Sequence, residues 1–243
     1  MPRTAILYHS FQLTDNVRHF LKHGVFEDPD YHYYFITNDP ELSYGGLPSN
    51  AEQYNRPNEG LDFGGYSEFV QLRREELKQY DYLLFLNQTL VGPMFPVWYT
   101  QAHRWPDLFT AMLTDEVKLA GVSTSYQISP HVQSTLFCMD QTGFTLLCDH
   151  GIFNPAVPAD KWQLILEREV GMSRVILHHN YNIAGLLKQD QHVDFRTSPP
   201  ERHRDPWHHD HYLGKTPHPY ETIFIKTNTP KSVDFNELIN LHR

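Results

Sequence analysis

The chain has 243 residues and a formal net charge of −9, with 20 Lys and Arg against 29 Asp and Glu. That length suits one large α/β domain with a well-buried core, and the acidic balance argues against general attraction to nucleic acid or an anionic membrane, leaving room only for a local basic pocket. No stretch approaches 18 uncharged apolar residues, and the opening MPRTAILYHS runs straight into a strand pattern, so neither a transmembrane segment nor a signal peptide is expected and a cytoplasmic location is.

In chain order, residues 4–8 (TAILY) predict a first strand that delivers His9, Ser10 and Phe11 to its carboxyl end. Asp15-Asn16 is the expected cap of a helix over 17–23, and Asp28-Pro29-Asp30 breaks the chain before a second strand, Tyr31–Thr37, which ends at Asn38. A loop rich in Pro, Gly, Asn and Ser follows, with one short strand near 51–54. Residues 54–66 (YNRPNEGLDFGGY) predict a glycine-rich turn ahead of a charged helix over 67–79, a setting in which backbone amides can approach an anion. Neither the Walker A spacing nor the dinucleotide G-x-G-x-x-G spacing is present.

The apolar run 82–86 (YLLFL) is too short for an ordinary helix and too continuous for a half-exposed strand. It predicts a central parallel strand covered on both faces. Such sheets bind ligands at the carboxyl ends of their strands, which points to Asn87, Gln88 and Thr89; the same three residues also fit a plain polar turn. A short helix over 108–113, strands over 118–123 and 131–139, and a helix or extended piece from 141 to 148 are expected next. Residues 160–188 are the clearest helical stretch, broken by Gly171, and 189–219 read as a His- and Pro-rich loop or flap. A strand over 222–226 and a helix starting near Val233-Asp234 close the chain. The two cysteines, Cys138 and Cys148, lack CxxC spacing and are expected to be buried thiols.

Three segments in this order, NEGLDFGGY, LFLNQTLVGP and HVQSTLFCM, resemble the rhamnan-synthesis protein F type of glycosyltransferase, and LEREVGMSRVILHHNYNIAGLL and HPYETIFIK resemble later segments of inverting nucleotide-sugar transferases. Viral and algal rhamnosyltransferase domains look similar as well. The resemblance implies one glycosyltransferase domain over 1–243 with a GT-A-like, Rossmann-like fold: an open mixed, mostly parallel sheet with helices on both faces. It implies transfer of a sugar, L-rhamnose among the options, from a nucleotide diphosphate donor (a UDP- or dTDP-sugar) to a glycan hydroxyl in polysaccharide biosynthesis. The alternative is a catalytically inactive module that binds a nucleotide sugar or a glycan.

By that resemblance Glu169 is the catalytic base; as a bare residue it also fits a solvated helix position. Donor contacts are expected from His9, Ser10, Asn38, Arg56, Asn58, Asp62, Gly64, Gly65, Asn87, Gln88, Thr89 and Lys226, and Asp62 equally fits a helix cap. His131 and Gln133 would share one strand face and, with Ser123, reach the sugar or acceptor, or else hydrogen-bond within the core. His208, His209 and His211 belong to the flap, whose zinc spacing is unrecognisable. The usual Asp-x-Asp of a GT-A strand is replaced by Asn87-Gln88-Thr89, and neutral amides are poor Mg²⁺ or Mn²⁺ ligands. A divalent metal is therefore left undecided, with Arg56, Lys226, the histidine loop and the amides around Gly64-Gly65 as the protein's own donors to the diphosphate.

Overall fold

The computed structural model describes residues 2–96, 99, 104–156, 158, 160–197, 205–208 and 211–229. Its elements in chain order are β1 (Thr4–Ser10), α1 (Asp15–His23), β2 (Tyr31–Thr37), β3 (Ala51–Asn55), α2 (Leu61–Leu77), β4 (Tyr82–Asn87), β5 (Leu90–Val91), α3 (Asp107–Thr110), β6 (Val117–Gly121), β7 (Thr124–Ser125) and β8 (His131–Val132). They continue with β9 (Leu136–Asp140), α4 (Gln141–Asp149), α5 (Lys161–Leu164), a π-helical turn (Ile165–Glu169), α6 (Val170–His178), β10 (Asn182–Gly185), a 3₁₀ turn (Lys188–Asp190), α7 (Pro219–Thr222) and β11 (Ile225–Lys226).

Seven strands form one sheet in the order β10-β6-β9-β4-β1-β2-β3. β1 lies parallel to β2 and β4, β2 parallel to β3, and β6 parallel to β10, while β9 runs antiparallel to both β4 and β6. The sheet is mixed and mostly parallel, with helices on both faces, as expected. The expected central strand β4 is parallel on one side only, because β9 reverses direction beside it.

Alternation along the strands explains the continuous apolar runs. Ala5, Leu7, Leu83 and Phe85 face a core shared with Phe63, Phe69, Phe144 and Ile176, whereas Ile6, Tyr8, Leu84 and Leu86 face one shared with Phe20, Trp105, Phe109 and Phe224. Both faces are thus buried, which favours apolar residues at every position. Phe85 stacks on Phe137 of β9 with centroids 4.8 Å apart, tying the parallel half to the reversed strand.

Several boundaries differ from the sequence expectations. Thr14, not Asp15, caps α1, its Oγ1 accepting from the Val17 amide at 3.3 Å. α2 begins at Leu61, so Gly64 and Gly65 lie inside the helix and form no anion-cradling turn before it. Close packing accounts for both glycines: a Cβ on Gly64 would stand 2.2 Å from the Glu59 carbonyl oxygen, and one on Gly65 would stand 2.8 Å from the His9 ring. Here tertiary packing overrides helix propensity.

The strand expected over 131–139 is two strands, β8 and β9, split at Gln133–Thr135, where the Gln133 amide donates to the Ser123 carbonyl at 3.1 Å. Helical backbone runs from Lys161 through Gly171 to His178, so Gly171 does not break it; the turn to β10 comes at Asn180, whose φ is 62°. The last expected strand is shorter, because Pro219–Thr222 is helical and only Ile225–Lys226 pairs. The helix expected near Val233-Asp234 lies outside the described residues. Cys138 is buried and Cys148 half-buried, both as thiols.

Candidate functional site

The carboxyl ends of β1 and β4 open into a cavity of about 400 Å³. β1 contributes His9 and the following Phe11; β4 and its turn contribute Asn87, Gln88 and Thr89. Asn58, Leu61 and Asp62 enter from the head of α2, Ser134 and Thr135 from the turn before β9, and Lys161 and Glu169 from the helix of α5 and its π-helical turn. Lys226 and Asn228 close the last side. They are held there because β11 pairs with β5, Thr227 donates its amide to the Thr89 carbonyl at 2.8 Å, and Asn16 Nδ2 donates to Thr227 Oγ1 at 2.9 Å.

Glu169 is the most tightly specified carboxylate of the cavity. One oxygen accepts from the Ser134 amide at 2.9 Å and from the Ser134 hydroxyl, and the other lies 3.6 Å from His131 Nε2. The other His131 nitrogen, Nδ1, is 2.7 Å from the Ser129 carbonyl. Burial pushes the Glu169 carboxyl up, but the hydrogen bond and charge of His131 and the two Ser134 bonds outweigh it, leaving the group below the usual glutamate range. π-Turns recur at functional positions, and this one sets the rotation at which Glu169 leaves the helix.

Asp62 is shifted the other way. Burial raises its carboxyl, the Asn87 side-chain bond and the Phe63 amide bond lower it, and the nearby charge of Glu169 raises it again, for a net upward shift. Asn87 donates Nδ2 to Asp62 Oδ2 at 2.8 Å, and its own oxygen accepts from the Thr89 amide at 3.1 Å and the Thr89 hydroxyl at 2.5 Å. The His9 ring is buried, which lowers its pKa to about 4, so it is neutral near pH 7.

The structure thus brings together His9, Asn58, Asp62, Asn87, Gln88, Thr89, Glu169 and Lys226 of the residues singled out from sequence. Gln88, though lining the cavity, has its oxygen occupied by the Phe11 and Gln12 amides at 2.8 and 3.3 Å, which fixes the loop after β1.

Other expected contacts are placed elsewhere. Ser10 bonds the Tyr44 hydroxyl. Arg56 is buried and donates to Glu68, Asn38 and the Glu59 carbonyl at 2.9, 2.7 and 2.9 Å, which commits its guanidinium to the protein. Asn38 spends its amide on the Leu61 carbonyl and on Asn58. Gly64 and Gly65 are the packing glycines of α2.

His131 and Gln133 do not share a strand face, since the chain turns between β8 and β9: His131 meets Glu169, whereas Gln133 meets Ser123 at 2.7 Å and Asp205 at 3.1 Å. Ser123 also accepts from Trp207 Nε1 at 2.9 Å, so Ser123 and Gln133 anchor the His- and Pro-rich segment to the sheet instead of facing the cavity. The His208 and His211 rings meet at a tilt of 34° with centroids 5.4 Å apart and do not line the cavity; His209 lies outside the described residues.

Leu61, Ser134, Thr135, Lys161 and Asn228 were missed. A signal for Lys161 was present: Lys161, Ile165 and Glu169 recur every fourth residue behind the capping Asp160, so choosing Glu169 selects that helix face. Asn228 had no such signal.

Among the described residues, no group of three or more His, Cys, Asp or Glu is arranged to hold a metal ion, and no helix is long and apolar enough to cross a membrane. The Asn87 amide does not fit the role of a divalent-cation ligand, because its nitrogen is turned to Asp62 and its oxygen is already bonded to Thr89.

Residues 50–146 match the model of the family described as Rhamnan synthesis protein F. That stretch carries Asn58, Asp62, Asn87 and Ser134 but ends before Glu169. No curated protein sequence matches the chain. Solved structures that overlap it include a glycosyltransferase involved in the glycosylation of the major capsid of PBCV-1, at 13% identity over 77% of this chain and 84% of that one with a TM-score of 0.42. Another is the apo-form glycosyltransferase GlyE of Streptococcus pneumoniae TIGR4, at 13% identity over 74% of this chain and 44% of that one with a TM-score of 0.36. At these scores the overlaps carry no inference about chemistry. Over residues 50–146 the chain is similar to the family described as Rhamnan synthesis protein F.

Proposed function

We propose that this chain is a GT-A-type glycosyltransferase that moves a sugar, L-rhamnose by resemblance, from a UDP- or dTDP-sugar to a glycan hydroxyl with inversion. The observation that carries the reading is Glu169: an ionised carboxylate, oriented by Ser134 and His131, in a cavity at the carboxyl ends of β1 and β4.

In the proposed step the acceptor oxygen attacks the anomeric carbon from one face while its proton passes to Glu169. The bond from that carbon to the diphosphate oxygen breaks on the opposite face, and the nucleoside diphosphate leaves with the electron pair. A base held as an anion before the acceptor arrives needs no reorganisation to accept the proton. The leaving group gathers negative charge, and Lys161 and Lys226 are the cavity's cationic side chains that would meet it. Asn87 and Thr89 bond Asp62 and each other, which leaves the second Asn87 amide hydrogen as a donor and the Thr89 hydroxyl oxygen as an acceptor for the sugar, and no step is routed through a metal.

Thermal shift with UDP, dTDP and GDP, each with and without Mn²⁺, tests the reading, since a ligand that binds only the folded state raises apparent stability. The expected result is a shift with one nucleoside diphosphate that does not depend on Mn²⁺, together with slow hydrolysis of the matching nucleotide sugar. No shift with any of the three sinks the reading, and a shift without hydrolysis or transfer makes the protein a binding module.

A further inference from the structure

Leu61 is in an unusual state for its residue type. Its backbone is left-handed at φ 56°, directly after Gly60 at φ 70°, and its side chain is 49% exposed where it lines the cavity. β-Carbon sterics disfavour that conformation for leucine, whereas glycine and asparagine adopt it readily. Half-exposed, the side chain also has little burial to offer in return, so folding stability does not explain a leucine at this position.

The backbone is held in place from below. Buried Arg56 donates to the Glu59 carbonyl at 2.9 Å and to Asn38 Oδ1 at 2.7 Å, and Asn38 in turn donates to the Leu61 carbonyl at 3.0 Å and to Asn58 Oδ1 at 3.3 Å. This brace grips the carbonyls on both sides of the left-handed pair and steadies Asn58, which lines the same cavity. Backbone outliers that a surrounding network over-determines cluster at ligand sites.

A second exposed apolar side chain enters the same cavity. Phe11, 43% exposed, lines the cavity from the end of β1. Sheet order puts β1, β2 and β3 on this side and β9, which precedes the helix bearing Glu169, on the other side of β4. An exposed aliphatic and an exposed aromatic side chain lining one cavity with the Asn58 amide suit a planar heteroaromatic ring, whose faces are apolar and whose edge carries hydrogen-bonding atoms.

We infer that Leu61 is a specificity-determining contact to the base of the bound nucleoside diphosphate, with Arg56 and Asn38 as the positioning residues that hold it in a left-handed backbone. This rests on the glycosyltransferase reading and adds which wall takes the base. It also gives Arg56 and Asn38 a role that their burial denies them as direct ligands.

The test is calorimetric titration of wild type, Leu61→Asn and Leu61→Gly with UDP, dTDP, GDP and inorganic pyrophosphate, alongside the melting temperature of each protein. Both substitutions suit a left-handed backbone and remove the apolar contact. The expected result is a melting temperature at or above wild type for Leu61→Asn, nucleoside diphosphate binding weakened about tenfold, and pyrophosphate binding unchanged. Wild-type nucleotide affinity in both variants overturns the inference alone, as does an equal loss of pyrophosphate affinity, which would show a distorted cavity. Failure of the wild type to bind any of the nucleotides overturns the glycosyltransferase reading along with it.

Discussion

The Asn87 side chain donates to Asp62 Oδ2 at 2.8 Å, so a carboxylate does stand at the end of β4, delivered by α2 and not by the strand itself. Asn87 and Asp62 are 25 residues apart in sequence, and the amide is what allows the pair to coexist. A carboxylate at Asn87 would face both Asp62 and the nearby charge of Glu169.

Asn87→Asp tests that relationship. Two carboxyl groups at hydrogen-bond distance cannot both ionise cheaply, so the variant is expected to lose about 1–3 kcal/mol of stability near pH 7. Mn²⁺ should recover part of the loss in the variant while leaving wild type unaffected. Urea denaturation with and without Mn²⁺ reads both effects, and a variant as stable as wild type without metal would contradict them.

For Glu169→Gln we expect wild-type folding and nucleotide affinity with transfer reduced by about 10²–10⁴-fold. The base must be ionised, and its pKa lies below the ordinary glutamate value of 4.5, so the acid limb of the wild-type rate profile should fall below that pH. An acid limb well above it, or wild-type turnover in the variant, would remove Glu169 from the proposed role.

Lys161→Ala and Lys226→Ala are each expected to raise the donor KM by about tenfold, since a charge-assisted contact contributes about 1.5–3 kcal/mol. Steady-state kinetics with varied nucleotide sugar measures this. If only Lys226 matters, the diphosphate lies on the β11 side of the cavity.

Gly64→Ala should cost about 1–3 kcal/mol in chemical denaturation, because the new methyl would stand 2.2 Å from a backbone oxygen that cannot swing aside. Gly65→Ala, facing the His9 ring at 2.8 Å, should be of similar size.

Asp190 contributes a pH dependence to stability. Burial raises its carboxyl from 3.8 to about 7, only partly offset by hydrogen bonds from the Thr124 hydroxyl and amide at 2.9 and 3.1 Å, and the charge of Glu221 adds to the rise. A folded-state pKa above the unfolded one means that folding favours the protonated form. The cost is therefore absent below about pH 4, grows between pH 4 and 7 and is complete above 7. The Asp190 contribution to the unfolding free energy should fall by about 4 kcal/mol across that window, at 1.36 kcal/mol per pH unit, while neutral buried His9, with a pKa of about 4 against an ordinary 6.5, contributes a rise over most of the same range. Urea denaturation of Asp190→Asn against wild type isolates the first effect: the variant should gain stability relative to wild type as the pH rises from about 4 to 7, and a constant difference would contradict it.

Much of the frame was legible in the chain. Tyr31–Thr37 was expected with the boundaries it has, and the run ending at Asn87 reads as a core strand because both of its faces are buried. The start of α2 was not legible, since glycines at 64 and 65 look like a turn until Glu59 and His9 are seen pressing on them. Nor was the break between β8 and β9, where HVQSTLFCM has the composition of one strand and the turn is fixed by Ser123 and Glu169.

The sequence by itself determined the strands β1, β2, β4 and β6 and the segment similar to the rhamnan synthesis protein F family, because apolar periodicity and short motifs are local properties, whereas β10 fell inside a stretch that reads as helix. Tertiary structure alone decided which polar residues share the cavity. Its defining contacts join positions far apart in the chain: Ser134 to Glu169 across 35 residues, and Asn16 to Thr227 across 211. No local pattern encodes which distant group will satisfy a buried polar atom, so Arg56 looked like a ligand residue and proved to be a brace, while Lys161 went unnoticed until the helix brought it to the cavity wall.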